Sequence, residues 1–239
     1  MTKTRLLLNL SVLALMSSGL TACGTSSDGT GSPETSISHS SGNSVLYGDR
    51  REKLSNIEAL YNQNQKDPMI GARYGKALRE AGQYKAAKSV LIPLTGDKTV
   101  ATLANTELSA VYLSQAEFEK AEYAARAAIK ADEKNYRAWR NLGNALDAQE
   151  KYKEGETAFR KAMELWGSDD KIPVMNNLAL NLAAQGYTDK ALAMLYDAKK
   201  IDPNRVEIER NIRIIRTLNE PPEYKGQKEP LPPNKPPAE

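Results

Sequence analysis

Between about Asp49 and Leu218 the apolar residues recur at three- and four-residue intervals, the spacing of helices that bury one face. Leu54, Ile57, Leu60 and Tyr61 mark such a stripe within Arg50 to Gln63, and Val206, Ile208, Ile212 and Ile215 mark another within Asn204 to Leu218. Between them the pattern repeats. Tyr74-Gly75, Leu108-Ser109, Leu142-Gly143 and Leu178-Ala179 hold one place in four successive segments, at intervals of 34, 34 and 36 residues (74 to 108, 108 to 142, 142 to 178). Ala87, Ala121, Gly155 and Ala191 follow, and Leu91, Ala125, Phe159 and Leu195 come four residues after those. The third interval is enlarged by the Gly167–Lys171 turn. The pattern predicts an all-α chain of about four helix pairs, with a leading helix before them and a capping helix after.

A helical period explains the apolar stripes, but not a phase kept from one segment to the next. Stacked pairs explain both. A small residue at the Gly75, Gly143 or Ala191 kind of position lets two helix backbones approach, and large residues such as Leu142 and Phe159 fill the space to the next pair. No pair can bury its apolar face alone, so the pairs must stack. Pro93 falls where the second helix of the first pair should still run, and its missing N–H stops that helix near Leu91 or Ile92.

The segment from Tyr136 to Asp169 places Trp139, Leu142, Gly143, Tyr152, Phe159 and Ala162 at the signature positions of the tetratricopeptide repeat, which it resembles. It departs at Glu150 and Gly155, where that family prefers Gly and Ala. The fourth segment keeps Leu178, Ala179, Gly186, Ala191, Ala198 and a closing Asp202-Pro203. The resemblance covers Pro68 to Arg205, with repeats at about 68–101, 102–135, 136–169 and 172–205. It implies a superhelix whose first helices line a concave, protein-binding face, within a domain spanning 49–218.

The two ends read differently. Lys3 and Arg5 precede a mostly apolar Leu6 to Met16 and the small residues Ser17, Ser18 and Gly19, the order of an export signal over residues 1–22. That apolar stretch is too short to span a bilayer, which takes roughly 20 residues. Leu20-Thr21-Ala22-Cys23 resembles the lipobox of bacterial lipoproteins, which implies acylation of Cys23. Several acyl chains, at about 0.8 kcal/mol per buried CH₂, hold a protein at a membrane almost permanently. Gly24 in place of aspartate resembles the outer-membrane class. Residues 23–48 then form a Ser/Gly/Thr-rich linker too poor in apolar groups to fold. Residues 219–239 carry seven of the chain's twelve prolines, so neither helix nor sheet continues through them.

Charge and chemistry narrow the function further. The chain carries 33 basic and 30 acidic residues; removing Lys3 and Arg5 leaves 31 against 30, a net +1. Such balance gives no long-range field for nucleic acid. Cys23 is the one cysteine and His39 the one histidine, and His39 lies in the linker. His-based triads and His-rich metal sites are therefore excluded. No HExxH, CxxC, GxSxG or phosphate-binding loop occurs. The expectation is a protein that is not an enzyme and takes no metal or cofactor.

By the phase of the resemblance, the groove would present Arg137, Arg140, Asn141, Asn144 and Asp147 from the third repeat. Asn177 and Leu180 would follow from the fourth, with Arg73, Lys76 and Arg79 at the other end. Arg140, Asn144 and Asn177 match part of the carboxylate clamp of chaperone-binding members of the family, where a cation and two amides grip a peptide's terminal carboxylate. The next helix offers Glu207 and Asn211 where that clamp has two cations.

A lipobox and tether before a short array, the Asn176-Asn177-Leu178-Ala179-Leu180 run and the Gln185-Gly186-Tyr187 turn together resemble the assembly lipoprotein of tight-adherence (Flp) pili. That resemblance implies an outer-membrane lipoprotein facing the periplasm, binding a secretin or another component of the pilus or secretion machinery. A pilotin-like lipoprotein of type IV pili, another envelope-assembly adaptor, and a recruiter or regulator of a cell-wall hydrolase remain alternatives.

Overall fold

A computed structural model of the chain describes residues 53–167 and 170–219. The proposed signal, Cys23, the linker, the last residues of the third repeat (168–169) and nearly all of the proline-rich tail lie outside the described residues. Within them the secondary structure is helical, with no strand.

Helix α1 covers residues 53–63. Four pairs follow: α2 (Pro68–Glu80) with α3 (Tyr84–Leu91), and α4 (Ala101–Ser114) with α5 (Phe118–Ala131). Next come α6 (Tyr136–Ala148) with α7 (Tyr152–Glu164), and α8 (Ile172–Ala184) with α9 (Thr188–Ile201). Helix α10 (Val206–Asn219) closes the array.

Two of the first helices, α2 and α6, begin where a side chain satisfies open backbone N–H groups. Asp67 accepts from the amides of Met69 and Ile70 at 2.8 and 3.2 Å, and Asn135 accepts from those of Arg137 and Ala138 at 3.1 and 3.2 Å. Pro68 occupies the first helical position, where its missing donor costs nothing. Each pair turns through one left-handed residue at the same phase: Gly82, Ala116, Glu150 and Gly186, with φ of 76°, 58°, 63° and 89°. Pro93 has the effect its ring requires. Helix α3 ends at Leu91 after 8 residues, and Ile92–Leu94 continues as a short 3₁₀ turn.

Small residues set how closely the pairs close. A Cβ on Gly143 would lie 2.6 Å from the ring of Phe159, and one on Gly75 would lie 2.5 Å from Leu91. Phe159, Leu91, Ala125 and Leu195, the large-or-filling position of each repeat, are all fully buried. The largest apolar cluster joins α7, α8 and α9 to Ile208, Ile212 and Ile215 of α10, so the last helix covers the end of the stack. Val206, expected on that buried face, is instead exposed at the first position of α10.

The first helices touch one another in sequence, α2 to α4, α4 to α6, α6 to α8 and α8 to α10. They form an inner layer, and the second helices stand outside it. That arrangement curves the stack toward the inner layer and puts the helices that carry the candidate groove residues on one side.

Candidate functional site

Hydrogen-bonded rungs run along the inner layer from one first helix to the next. Asn141 donates through Nδ2 to Ser109 Oγ at 2.8 Å and to the Thr106 carbonyl at 3.2 Å. Asn135 Nδ2 donates to Thr106 Oγ1 at 2.8 Å. Asn177 Nδ2 donates to Asn144 Oδ1 at 2.8 Å, and Asn181 Nδ2 donates to Asp147 Oδ1 at 2.6 Å. Asn211 Nδ2 donates to Asn176 Oδ1 at 2.6 Å. Each rung spans nearly one repeat and pairs polar groups that burial would otherwise leave costly.

These rungs decide where the residues picked out by sequence sit. Asn141 is 4% exposed and Leu180 is 7% exposed, so both lie inside the stack. Asn144 and Asn177 are half-buried and bonded to each other. Asp147 is buried too, and burial pushes its carboxyl up to about 8 against the lowering effect of the Asn181 bond. Asn211 is spent on Asn176, and Glu207 accepts from Arg205 at 3.4 Å. Arg73 is exposed. What remains on the open side of the inner layer is cationic.

There, a pocket of about 350 Å³ opens between α2, α4 and α6. Helix α2 supplies Lys76, Arg79 and Glu80; α4 supplies Thr106, Glu107 and Ala110. Helix α6 supplies Tyr136, Arg137, Arg140 and Asn141, and the far wall is Trp166, Asp170 and Pro173. The Tyr136 and Trp166 rings lie 4.2 Å apart between centroids.

The carboxylates of this pocket are already held. Glu107, only 5% exposed at its side chain, accepts from Arg79 Nε at 2.7 Å. Glu80 accepts from the Arg79 guanidinium at 3.2 Å and lies 3.9 Å from Lys76 Nζ. Asp170 is paired with Arg205 from outside the pocket. Arg137 Nε reaches the Tyr136 hydroxyl at 3.1 Å. Arg140 differs. Its Nε is buried without a hydrogen-bond partner, and no carboxylate among the described residues forms an ion pair with it. Burial first, then the Arg137 charge, lowers its pKa, though a guanidinium stays charged throughout the physiological range.

Of the residues anticipated from sequence, the pocket therefore gathers Lys76, Arg79, Arg137, Arg140 and the edge of Asn141. It does not gather Asn144, Asn177 or Leu180. Sequence phase missed Glu107, which sits among core residues. It also missed Trp166 and Asp170, which the enlarged turn after α7 brings in and which no helical period could locate.

Among the described residues no three His, Cys, Asp or Glu side chains cluster as a metal site, and no described helix is long and apolar enough to cross a membrane.

Residues 136–204 match the tetratricopeptide-repeat family model. TTC0263, a thermophilic TPR protein of Thermus thermophilus, superimposes with a TM-score of 0.62, at 16% identity, covering 73% of this chain and 94% of that one. The fold is a tetratricopeptide-repeat superhelix. Two further repeat structures agree: MamA (41-end) of Desulfovibrio magneticus RS-1, with a TM-score of 0.54, 21% identity and coverage of 69% and 92%, and YrrB. The latter, described as a TPR protein with an unusual peptide-binding site, gives a TM-score of 0.54 at 18% identity, covering 70% of this chain and 85% of that chain. Comparison with curated protein sequences finds no significant match. Tetratricopeptide-repeat superhelices use their extended concave surface for binding, and the pocket lies on that surface.

Proposed function

We propose that this protein is a lipid-anchored periplasmic adaptor that holds a protein partner on its concave face during assembly of a Flp-type pilus or secretion machine. The observation that carries the binding part is the inner layer itself. Its polar rungs are satisfied internally, while Lys76, Arg79, Arg137 and Arg140 gather around one opening beside Tyr136 and Trp166. Catalytic machinery would need a positioned base, nucleophile or metal, and the groove offers cations, amides and paired acids. The peptide-binding site of YrrB, on a similar array, supports a peptide-sized ligand.

The anchoring part rests on the Leu20-Thr21-Ala22-Cys23 run and the linker behind it. A coil of about 20 Ser/Gly-rich residues has a root-mean-square reach of roughly 25 Å, enough to hold the array clear of the membrane surface. Anchor and groove together would route a bound client toward the outer membrane.

Pull-down of the full chain from envelope extracts tests this. Recovery of a secretin-type channel, with pili lost and the channel failing to reach the outer membrane on deletion, is the expected result. Recovery of cell-wall hydrolases alone, with pili intact, would overturn the pilus assignment. Replacing Cys23 by serine is expected to release the protein from the membrane fraction; unchanged fractionation would overturn the anchor.

A further inference from the structure

We infer that the pocket between α2, α4 and α6 takes a side-chain carboxylate from an acidic, extended segment of the protein partner, with Arg140 as the anchoring cation. The inference deepens the adaptor function and rests on it. Three observations converge. Arg140 Nε is a buried donor with no partner, and a buried unpaired donor of this kind calls for an acceptor. The acids lining the pocket do not supply that acceptor: Glu107 and Glu80 are held by Arg79, and Asp170 by Arg205. Lys76, Arg79 and Arg137 line the same opening, and Arg205 neutralises Asp170 from outside it. The Arg140 charge is thus left without a carboxylate partner among the described residues.

A carboxylate suits this better than a neutral group. A guanidinium binds carboxylate oxygens through two parallel N–H donors, and charge-assisted bonds gain most where water is excluded. The carboxylate belongs to a side chain and not to a chain end. Gripping a terminus by the two-amide arrangement would require Asn144 and Asn177, and neither lines this pocket. The Tyr136 and Trp166 rings and Pro173 on the far wall suit the apolar parts of the same segment.

Isothermal titration of the detergent-purified full chain with three synthetic hexapeptides tests the inference. The first is acetylated, amidated and carries three glutamates among alanines. The second has those glutamates changed to glutamine. The third carries the glutamines and a free terminal carboxylate. Only the glutamate peptide should bind, and its affinity should fall at least tenfold for Arg140→Gln and severalfold for Arg137→Gln. Arg140→Lys should recover part of the loss, and Arg126→Gln on the outer helix α5 should change nothing. Circular dichroism melting confirms that each variant is folded, and Arg137→Gln, at an exposed position, gives a second probe should Arg140→Gln prove unstable. Equal binding of the glutamine peptide, tighter binding of the free-carboxylate peptide, or full affinity in both arginine variants would overturn the inference. Recovery of a secretin by the pull-down above, with no binding of the glutamate peptide, would overturn the inference while leaving the adaptor function standing. Failure of the pull-down to recover any envelope-assembly protein would remove the adaptor function and this inference with it.

Discussion

Gly155, where the third repeat departs from the tetratricopeptide pattern, and the buried Asp147 are one feature. The other repeats carry alanine at the Gly155 position, and a Cβ there would fall 2.2 Å from Asp147 Oδ1 and 3.2 Å from Asn181 Nδ2. Gly155 leaves the space that the carboxylate occupies. Because burial holds Asp147 at about 8 in the folded state and an unfolded aspartate titrates near 3.9, the native state binds the extra proton between those values. Stability should therefore fall as pH rises from about 4 to about 8 and level off beyond, each pKa unit being worth about 1.4 kcal/mol. Asp147→Asn keeps the rung to Asn181 without the charge. Thermal melts from pH 5 to 8 should show a flatter profile for this variant, its advantage over the parent growing as pH rises; an unchanged slope would contradict the assignment. Glu150 sits in the left-handed turn where the first and last pairs have glycine. Relief of that conformation, less glycine's added chain entropy, should make Glu150→Gly about 0.5–1 kcal/mol more stable in urea unfolding. The sequence showed Glu150 and Gly155 as departures from a pattern. It could not show that Asp147 and Gly155 touch, because they lie on different helices.

The helix stop at Pro93 was legible because local chemistry sets it, as it sets the starts at Asp67, Pro68 and Asn135. Asp67 and Asn135 cap, Pro68 starts and Pro93 stops, and each works through its own backbone or side chain. The roles of groove-phase residues were less legible. A first-helix position facing the inner layer faces a neighbouring helix as much as solvent, so Asn141, Asn177 and Asp147 link helices where phase alone assigned them to the groove. Leu180 is covered for the same reason. The capping helix depends on packing over distance and should be sensitive to core loss. Ile208 of α10 is fully buried against the last pair, so Ile208→Ala should cost about 2–4 kcal/mol. Amide exchange should show that loss most strongly in α9 and α10, because each repeat draws stability from its neighbours. Uniform loss across α2 to α10 would instead indicate one indivisible unit.

The whole array is a ladder of helix pairs whose inner rungs are self-sufficient, leaving charge at the pocket between α2, α4 and α6 as its unspent chemistry. Near-neutral overall charge made this invisible in composition, because a net charge does not say where the cations gather; many other charges pair with one another, as Lys88 does with Glu117 and Lys151 with Glu122. Trp166 and Asp170 completed the pocket from a turn, so its full outline needed the fold. The concave face should be where a partner is held, and a photoreactive amino acid placed in living cells tests this most directly. Introduced at Arg137, inside the pocket, it should give a covalent adduct with one envelope protein. Introduced at Tyr123, which is 78% exposed on the second-helix side, it should give none. Capture from Tyr123 with nothing captured from Arg137 would contradict the concave face as the binding surface.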